Sequence, residues 1–234
     1  MIIYPDGHPD AELATHDPLQ PVTPFPNLRV AGGELATALE SYRNQDDVLV
    51  LAMALGGVLV GHEVAIRLGL PFDLVILRRL LAPADLGSPV CAVNVAGNLE
   101  IVGELPPRPV VPLTGVDFFI ADALADLARR EKVCRGGRPP CDIAGKIVLL
   151  VDCGMRTGET MRAAIRALRA RQPAKIVVAQ PVASVGASAI VSAEADDLVC
   201  LGQPRPFGNV GVWYKDFTRP GDDEISGLLR EAMM

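Results

Sequence analysis

The carboxylate of Asp152, two threonines and two glycines are concentrated in one short segment, residues 152–160. Asp152 offers a carboxylate that can accept hydrogen bonds from the two hydroxyl groups of a sugar. Thr157 and Thr160 offer hydroxyls that can donate to the oxygens of a phosphate. The glycines let backbone N–H groups approach an anion closely. Together these groups suit a ribose 5-phosphate, with the carboxylate on the diol and the amides and hydroxyls on the phosphate.

The residues on either side of this segment predict the elements that position it. Ile147–Val151 is a short apolar run rich in β-branched residues, which is typical of a strand buried on both faces. After Gly158 the apolar residues recur at helical spacing, and they are Met161, Ala164, Ile165 and Leu168. A strand, a small-residue turn and a helix direct free N–H groups and the positive end of the helix dipole toward a bound anion.

The same segment resembles the motif with which type I phosphoribosyltransferases bind 5-phosphoribosyl-1-pyrophosphate. The residues that match that motif are Asp152, Gly154, Thr157, Gly158 and Thr160. Cys153 replaces the second acid of the family, and Arg156 replaces a small residue. A thiol is mostly neutral at pH 7 and accepts hydrogen bonds weakly, so Cys153 cannot replace a carboxylate. The resemblance implies a ribose and 5-phosphate site formed by Asp152, Cys153, Gly154, Met155, Arg156, Thr157, Gly158, Glu159 and Thr160.

The resemblance runs from about residue 25 to the C-terminus and is greatest to a bacterial group of phosphoribosyltransferases whose acceptor is undefined. It implies that the pyrophosphate binds at Leu55, Gly56, Gly57, Arg78 and Arg79. Leu55 lacks the cation that the family has in this turn. Arg78 and Arg79 follow a predicted strand, where open α/β sheets bind ligands. The alternative is that both arginines are solvated surface residues.

Aromatic residues are concentrated in the segment 203–219, which is rich in glycine and proline and holds the single tryptophan of the chain. Its Val-Gly-x-Trp-Tyr-x-Asp-Phe sequence matches the tail of the same bacterial group. Flat rings suit stacking on a nitrogenous base. We therefore expect an acceptor pocket at Trp213, Tyr214 and Asp216. The alternative is that these rings pack the C-terminal tail.

The pattern of the whole chain predicts an α/β fold, a single doubly wound and mainly parallel sheet flanked by helices, like that of type I phosphoribosyltransferases. Two strands are predicted before the central motif, at 48–53 and 73–77. Two more are predicted after it, at 175–180 and 198–201. The resemblance adds a small C-terminal hood over the site.

Other segments have weaker patterns. Residues 1–24 are rich in proline and lack periodicity, which indicates an irregular N-terminal extension before a domain at 25–234. Residues 82–113 predict a β-hairpin with a flexible loop. His62 is expected at the surface of its helix. The basic stretch 129–138 ends in a glycine-flanked arginine pair, Arg135 and Arg138, which either holds a phosphate or belongs to a solvated loop before the next strand.

The composition argues against several classes of function. The 234 residues carry a net charge of −6, whereas a nucleic-acid surface normally needs a basic face. The longest apolar stretch, 48–60, is too short and too interrupted by glycine to span a bilayer, and we see no signal peptide. The five cysteines are an odd number without C-x-x-C spacing, so we expect reduced thiols in a cytoplasmic protein rather than disulfides or a zinc site.

The resemblance implies a magnesium-dependent pentosyltransferase of nucleotide metabolism. Such an enzyme transfers the phosphoribosyl group of 5-phosphoribosyl-1-pyrophosphate to a nitrogenous acceptor and releases pyrophosphate. Mg²⁺ is expected to bind through ligand oxygens and water, without direct protein ligands. The residues identify no catalytic acid or base. We expect small-molecule substrates and a homodimer.

Two alternatives to this enzyme remain open at the level of sequence. The changes at Leu55 and Cys153 favour a protein of the same fold that senses a phosphoribosyl ligand without turnover or serves as a scaffold for a partner. A methyltransferase that uses S-adenosylmethionine is the other alternative, because the turn 152–158 loosely resembles its glycine-rich turn. That turn lacks the middle glycine here, and two predicted core strands precede it.

Overall fold

The computed structural model of the chain describes residues 23–79, 91–95, 98–102 and 113–232, with the backbone alone for 98–100 and 113–120. Nearly all of the predicted N-terminal extension lies outside the described residues, and the boundary at residue 24 stays a prediction. Phe25 donates its backbone N–H to the Trp213 carbonyl at 2.9 Å and accepts from the Lys215 N–H at 2.8 Å. The start of the described chain is therefore paired with the C-terminal segment.

A seven-stranded sheet forms the centre of the described part of the chain. Its strands are β1 (Val48–Ala54), β2 (Phe72–Arg79), β3 (Cys91–Val95), β4 (Asn98–Val102), β5 (Ile147–Val151), β6 (Lys175–Val182) and β7 (Asp197–Gly202). Their order across the sheet is β4-β3-β2-β1-β5-β6-β7. Strands β2, β1, β5, β6 and β7 pair in parallel, and the hairpin β3–β4 is antiparallel to β2. The predicted mainly parallel sheet with a β-hairpin is confirmed.

Six α-helices cover the two faces of this sheet in the described residues. They are α1 (Leu28–Ala38), α2 (Val58–Leu68), α3 (Leu113–Arg135), α4 (Glu159–Arg169), α5 (Val185–Ser192) and α6 (Asp222–Glu231). Residues of α1, α2, α3 and α6 join one apolar core, and residues of α4 and α5 join the other. Because both faces are covered, the parallel strands are buried and nearly all apolar, as their sequences predict.

The two central strands, β1 and β5, position the two segments that were predicted to bind a ligand. They are adjacent and parallel, with Val48 opposite Ile147 and Ala52 opposite Val151. Their carboxyl ends therefore reach the same edge of the sheet together. The turn after β1 leads into α2, and the turn after β5 leads into α4. The two segments predicted to bind a ligand thus begin side by side.

The structure corrects one expectation and decides between two alternatives for Arg135. His62 is buried rather than at the surface, because it lies on the inner side of α2 with its ring edge against Phe72, 5.7 Å between ring centroids. Arg135 is the last residue of α3, and the glycine turn 136–137 separates it from Arg138. Arg135 is buried and donates to the Asp73 carboxylate at 2.6 Å, so this arginine has a structural ion pair and not a phosphate.

The helices of the described residues do not meet the requirements of a membrane span. A helix crossing a bilayer needs about 20 predominantly apolar residues. In the described ranges no helix combines that length with that apolar character.

Candidate active site

The turn after β1 and the turn after β5 pack directly against each other. A Cβ atom added to Gly56 would lie 2.7 Å from Cys153 Sγ and 3.4 Å from Asp152 Oδ1. A Cβ atom added to Gly57 would lie 2.7 Å from both the Asp152 Cα and the Val151 carbonyl oxygen. Only glycine allows this approach of the two backbones. The structure therefore brings together two segments that are far apart in the sequence and that were both predicted to bind a ligand.

The turn before α4 has the features of an anion site. Gly158 adopts a left-handed conformation, with φ of 77°, and no side chain caps the helix there. The first intrahelical bond of α4 runs from the Arg162 N–H to the Gly158 carbonyl at 2.9 Å. The N–H groups of Glu159, Thr160 and Met161 precede that bond, as at any helix start. The structure thus leaves a row of donors at the position predicted for the 5-phosphate.

The first half of the same turn is fixed by contacts with β6 and α5. The Met155 N–H donates to the Val182 carbonyl at 3.1 Å, and the Met155 carbonyl accepts from the Ser184 N–H at 2.9 Å. Ser184 Oγ donates to the Arg156 carbonyl at 2.6 Å. The Arg156 side chain is exposed. Met155 therefore contributes to the turn through its backbone pairing, and its amide is already used.

Asp152 lies at the edge shared by the two turns. Its Oδ1 accepts a hydrogen bond from the Cys153 N–H at 2.7 Å. Burial raises the pKa of Asp152 from 3.8 to about 6, while that backbone hydrogen bond and the charge of Arg219 oppose the shift. A carboxylate with such a pKa is ionised at neutral pH and can accept sugar hydroxyls.

Cys153 is buried below the Gly56 turn instead of being open to the solvent. Burial raises the pKa of its thiol well above the ordinary value, and the neighbouring Asp152 adds to the shift. Its backbone carbonyl accepts a hydrogen bond from the Tyr214 hydroxyl. The thiol is therefore a neutral packing group between the two turns, and the role predicted for it at the ribose is not tested by this arrangement.

The three residues of the predicted acceptor pocket have different surroundings. Trp213 Nε1 donates to the Phe207 carbonyl at 2.8 Å, and the Tyr214 hydroxyl is bonded to Cys153. The Tyr214 ring stacks on Phe217 at 5.2 Å between centroids. Asp216 is exposed and accepts from both the N–H and the hydroxyl of Thr218. The polar groups of the two rings are thus used to hold the C-terminal segment in place.

Arg78 and Arg79 project to opposite faces of the sheet, as neighbours on a strand must. Arg78 forms a salt bridge of 3.0 Å with Asp122 of α3. Arg79 forms one of 2.5 Å with Glu159, the first residue of α4. The structure therefore brings Arg79 to the start of α4, beside the turn at 152–158, and places Arg78 beside α3.

Arg219 is a candidate that the sequence pattern did not indicate. Its guanidinium lies over the Phe217 ring, 4.8 Å from the centroid, and its charge acts on Asp152. It lines a cleft of about 230 Å³ together with Leu59 of α2, Asp216 and residues of α1. The matched tail of the bacterial group ends at residue 217, so no motif marked this arginine.

The protein groups available to a metal ion are few. In the ranges that the structure describes, no three His, Cys, Asp or Glu side chains are grouped as a metal site. Asp152 is the carboxylate at the shared edge of the two turns. An ion that takes its ligands from a substrate and from water, as Mg²⁺ does, would need no such cluster of side chains.

Comparisons with known proteins agree with this geometry. A family model described as a phosphoribosyl transferase domain matches residues 26–195. The chain belongs to the phosphoribosyl transferase family. The family and the fold predicted from the turn at 152–160 are thereby confirmed.

Two named proteins and one solved structure resemble the chain over most of its length. Two Mycobacterium tuberculosis proteins that carry the provisional name phosphoribosyl transferase, MT0597 and Rv0571c, are 34% identical to it over 209 residues. These matches cover 86% of the chain and 45% of each relative, so the chain spans about half the length of these relatives. The crystal structure of TT1426 from Thermus thermophilus is 32% identical, with a TM-score of 0.72 over 89% of this chain and 99% of that one.

Proposed function

We propose that this protein transfers the phosphoribosyl group of 5-phosphoribosyl-1-pyrophosphate to a nitrogenous acceptor and releases pyrophosphate. The observation that carries the proposal is the contact of the two glycine-containing turns at Asp152. This contact supports a sugar diol, a 5-phosphate and a pyrophosphate bound at one edge of the sheet. Membership of a transferase family supports the same reaction.

Each part of the donor has candidate partners in this arrangement. Asp152 would accept hydrogen bonds from the ribose hydroxyls. Thr157, Thr160 and the first N–H groups of α4 would donate to the 5-phosphate. Gly56 would allow the pyrophosphate to approach the turn after β1. The N–H of Gly57 is bonded to the Met53 carbonyl at 2.9 Å, so Gly57 would act through close packing alone.

The reaction requires that the bond from the ribose C1 to the pyrophosphate oxygen breaks and that the acceptor nitrogen bonds to C1. Positive charge develops on the ribose ring, and negative charge develops on the leaving pyrophosphate. This chain would act mainly by holding both reactants and by supplying charge. Leu55 has no charge to offer, so Arg79 and Arg219 are the candidate cations. Mg²⁺, when bound through ligand oxygens and water, would supply further charge to the pyrophosphate.

We assign the acceptor to the cleft beside Asp216 and Arg219. This cleft adjoins the first turn of α2, which follows Gly57 directly. Trp213 and Tyr214 would support its wall through packing. A homodimer in the cytoplasm completes the proposal.

A sensor that binds the donor without turnover is the second candidate. Two observations favour it: Leu55 leaves the pyrophosphate turn without a cation, and Cys153 is a buried neutral thiol where the family has an acid. Both changes weaken charge stabilisation without removing the 5-phosphate turn. Turnover therefore distinguishes the two candidates, and binding alone does not.

Calorimetry with 5-phosphoribosyl-1-pyrophosphate and Mg²⁺ tests the site, and pyrophosphate release with a panel of nitrogenous bases tests the reaction. Thr160→Ala should weaken donor binding by about 1–3 kcal/mol, because it removes a hydrogen bond to a charged group. Thr37→Ala is the control, since this exposed hydroxyl of α1 bonds only within its own helix.

The outcomes separate the proposals. Binding with pyrophosphate release supports the transferase, and binding without release for any base supports the sensor. If the donor does not bind while S-adenosylmethionine does, the methyltransferase alternative replaces both.

A further inference from the structure

Glu159 introduces a negative charge into the turn that is proposed to bind a phosphate. It is the first residue of α4, next to Gly158, whose backbone begins the helix without a capping side chain. Its Oε2 accepts from Arg79 Nη2 at 2.5 Å and lies 3.5 Å from Thr157 Oγ1. A cation and a hydroxyl that are suited to a phosphate thus converge on one carboxylate oxygen.

The position is also favourable for a carboxylate in its own right. An acidic side chain in the first turn of a helix interacts with the positive end of the helix dipole. The carboxylate of Glu159 therefore meets the same three sources of attraction as a bound phosphate would: the helix start, a threonine hydroxyl and the Arg79 guanidinium.

Arg78, the neighbour of Arg79, is held more firmly by carboxylates outside the predicted site. Arg78 contacts two carboxylates of α3, Asp122 at 3.0 Å and Asp126 at 3.8 Å. Arg79 pairs instead with Glu159 at the start of α4. Both side chains are partly exposed, 47% for Arg79 and 37% for Glu159. An exposed ion pair contributes little stability, so exchange of its carboxylate for another anion costs little.

We propose that Glu159 is an internal competitor for the anion site, and that a phosphate group binds by displacing it from Arg79 and Thr157. The residue would thereby set the affinity of the site for phosphates. The inference rests on the proposed function only in naming the donor as the natural ligand. The 5-phosphate and the pyrophosphate share the chemistry, and separate ligands can distinguish them.

The test is the affinity of Glu159→Gln for three probes: inorganic phosphate, pyrophosphate and ribose 5-phosphate. Removing the competing charge should tighten binding by about three- to tenfold. A larger gain for ribose 5-phosphate would assign the displacement to the 5-phosphate, and a larger gain for pyrophosphate would assign it to the leaving group. Glu63→Gln is the matched control, because Glu63 also pairs with arginines, Arg29 at 3.2 Å and Arg67 at 3.6 Å, but on α2.

The Arg79→Gln background completes the experiment. If Glu159 acts by holding Arg79, the gain from Glu159→Gln should shrink when Arg79 is already absent. An unchanged affinity in Glu159→Gln, a gain of equal size in both backgrounds, or no phosphate binding in any form would overturn the inference. A gain for inorganic phosphate without any binding of 5-phosphoribosyl-1-pyrophosphate would instead refute the proposed function and leave this inference standing.

Discussion

The ionisation of Asp152 links the proposed ribose site to the stability of the fold. Burial raises its pKa from 3.8 to about 6, so the folded protein favours the protonated acid. The contribution of Asp152 to the free energy of unfolding is fully present below pH 3.8. It is lost as the pH rises through the folded-state pKa near 6. Above that pH the partly buried negative charge of Asp152 lowers the free energy of unfolding.

Asp152→Asn should therefore increase the free energy of unfolding at pH 7.5 by about 1–3 kcal/mol, because the amide remains neutral. The gain should shrink as the pH falls from 7 toward 4, and urea unfolding at several pH values measures it. Asp216→Asn is the control with the opposite sign, since hydrogen bonds from Thr218 lower the pKa of the exposed Asp216. A destabilised Asp152→Asn protein at pH 7.5 would contradict the account.

The chemistry of Cys153 could be predicted from the sequence, but its burial could not. Its departure from the family pattern was evident, and so was the weak hydrogen bonding of a thiol. Its burial was not, because the group that covers it, Gly56, belongs to the turn of another strand. Residue chemistry could be predicted from the sequence, whereas the exposure of the residue depends on the contact between two distant turns.

The turn after β1 and the turn after β5 are coupled through the contact between Gly56 and Cys153. A methyl group on Gly56 would meet the thiol at 2.7 Å, so Gly56→Ala should lower the free energy of unfolding by about 1–3 kcal/mol through overpacking. Cys153→Ala removes the obstructing sulfur and should recover part of that loss in the double variant. Thermal or urea unfolding of the four proteins measures the coupling.

Gly57→Ala is the matched control for this pair. Its methyl group would meet backbone atoms, the Val151 carbonyl oxygen and the Asp152 Cα, both at 2.7 Å. Cys153→Ala should therefore not relieve it. Equal recovery at both glycines would show that the thiol is not the group that limits the space beside Gly56.

The elements themselves were largely predictable. The central strand Ile147–Val151 agrees with its apolar run, and the helix that follows begins at Glu159, directly after Gly158. The end of α3 was not predictable in this way, because charged residues dominate its last turns. There the helix continues to Arg135, whose guanidinium pairs with a carboxylate of β2.

At the scale of the whole molecule, that ion pair joins α3 to the sheet. Asp73 is buried and accepts from Arg135 at 2.6 Å, and its other oxygen accepts from the Cys141 N–H at 2.8 Å. Arg135 also donates to Glu131 at 3.1 Å. The end of α3 and the segment that leads into β5 are thus both attached to one carboxylate of β2.

Arg135→Met should lower the free energy of unfolding by about 3–5 kcal/mol, because it leaves the Asp73 carboxylate buried without its cation. Arg129→Met on the same helix is the control, since Arg129 is exposed and pairs with Asp126 at the surface. That change should cost less than about 1 kcal/mol. Equal losses in the two variants, measured by urea unfolding, would show that the buried pair has no special role.

The order of strands and helices along the chain and the family could be predicted from the amino-acid sequence, because periodicity and small residues act within a few positions of the chain; the anion site at 152–160 stays a prediction. The residues from distant parts of the chain that lie near this turn could be identified only in the tertiary structure. Arg79 reaches Glu159 because only β1 lies between β2 and β5 in the sheet. Side chains alternate along a strand, so Arg78 points to the other face of the sheet. Arg219 reaches the neighbourhood of Asp152 because the C-terminal segment packs through Phe217 and Tyr214 onto Cys153. Such contacts depend on the order of strands across the sheet, which no local pattern encodes.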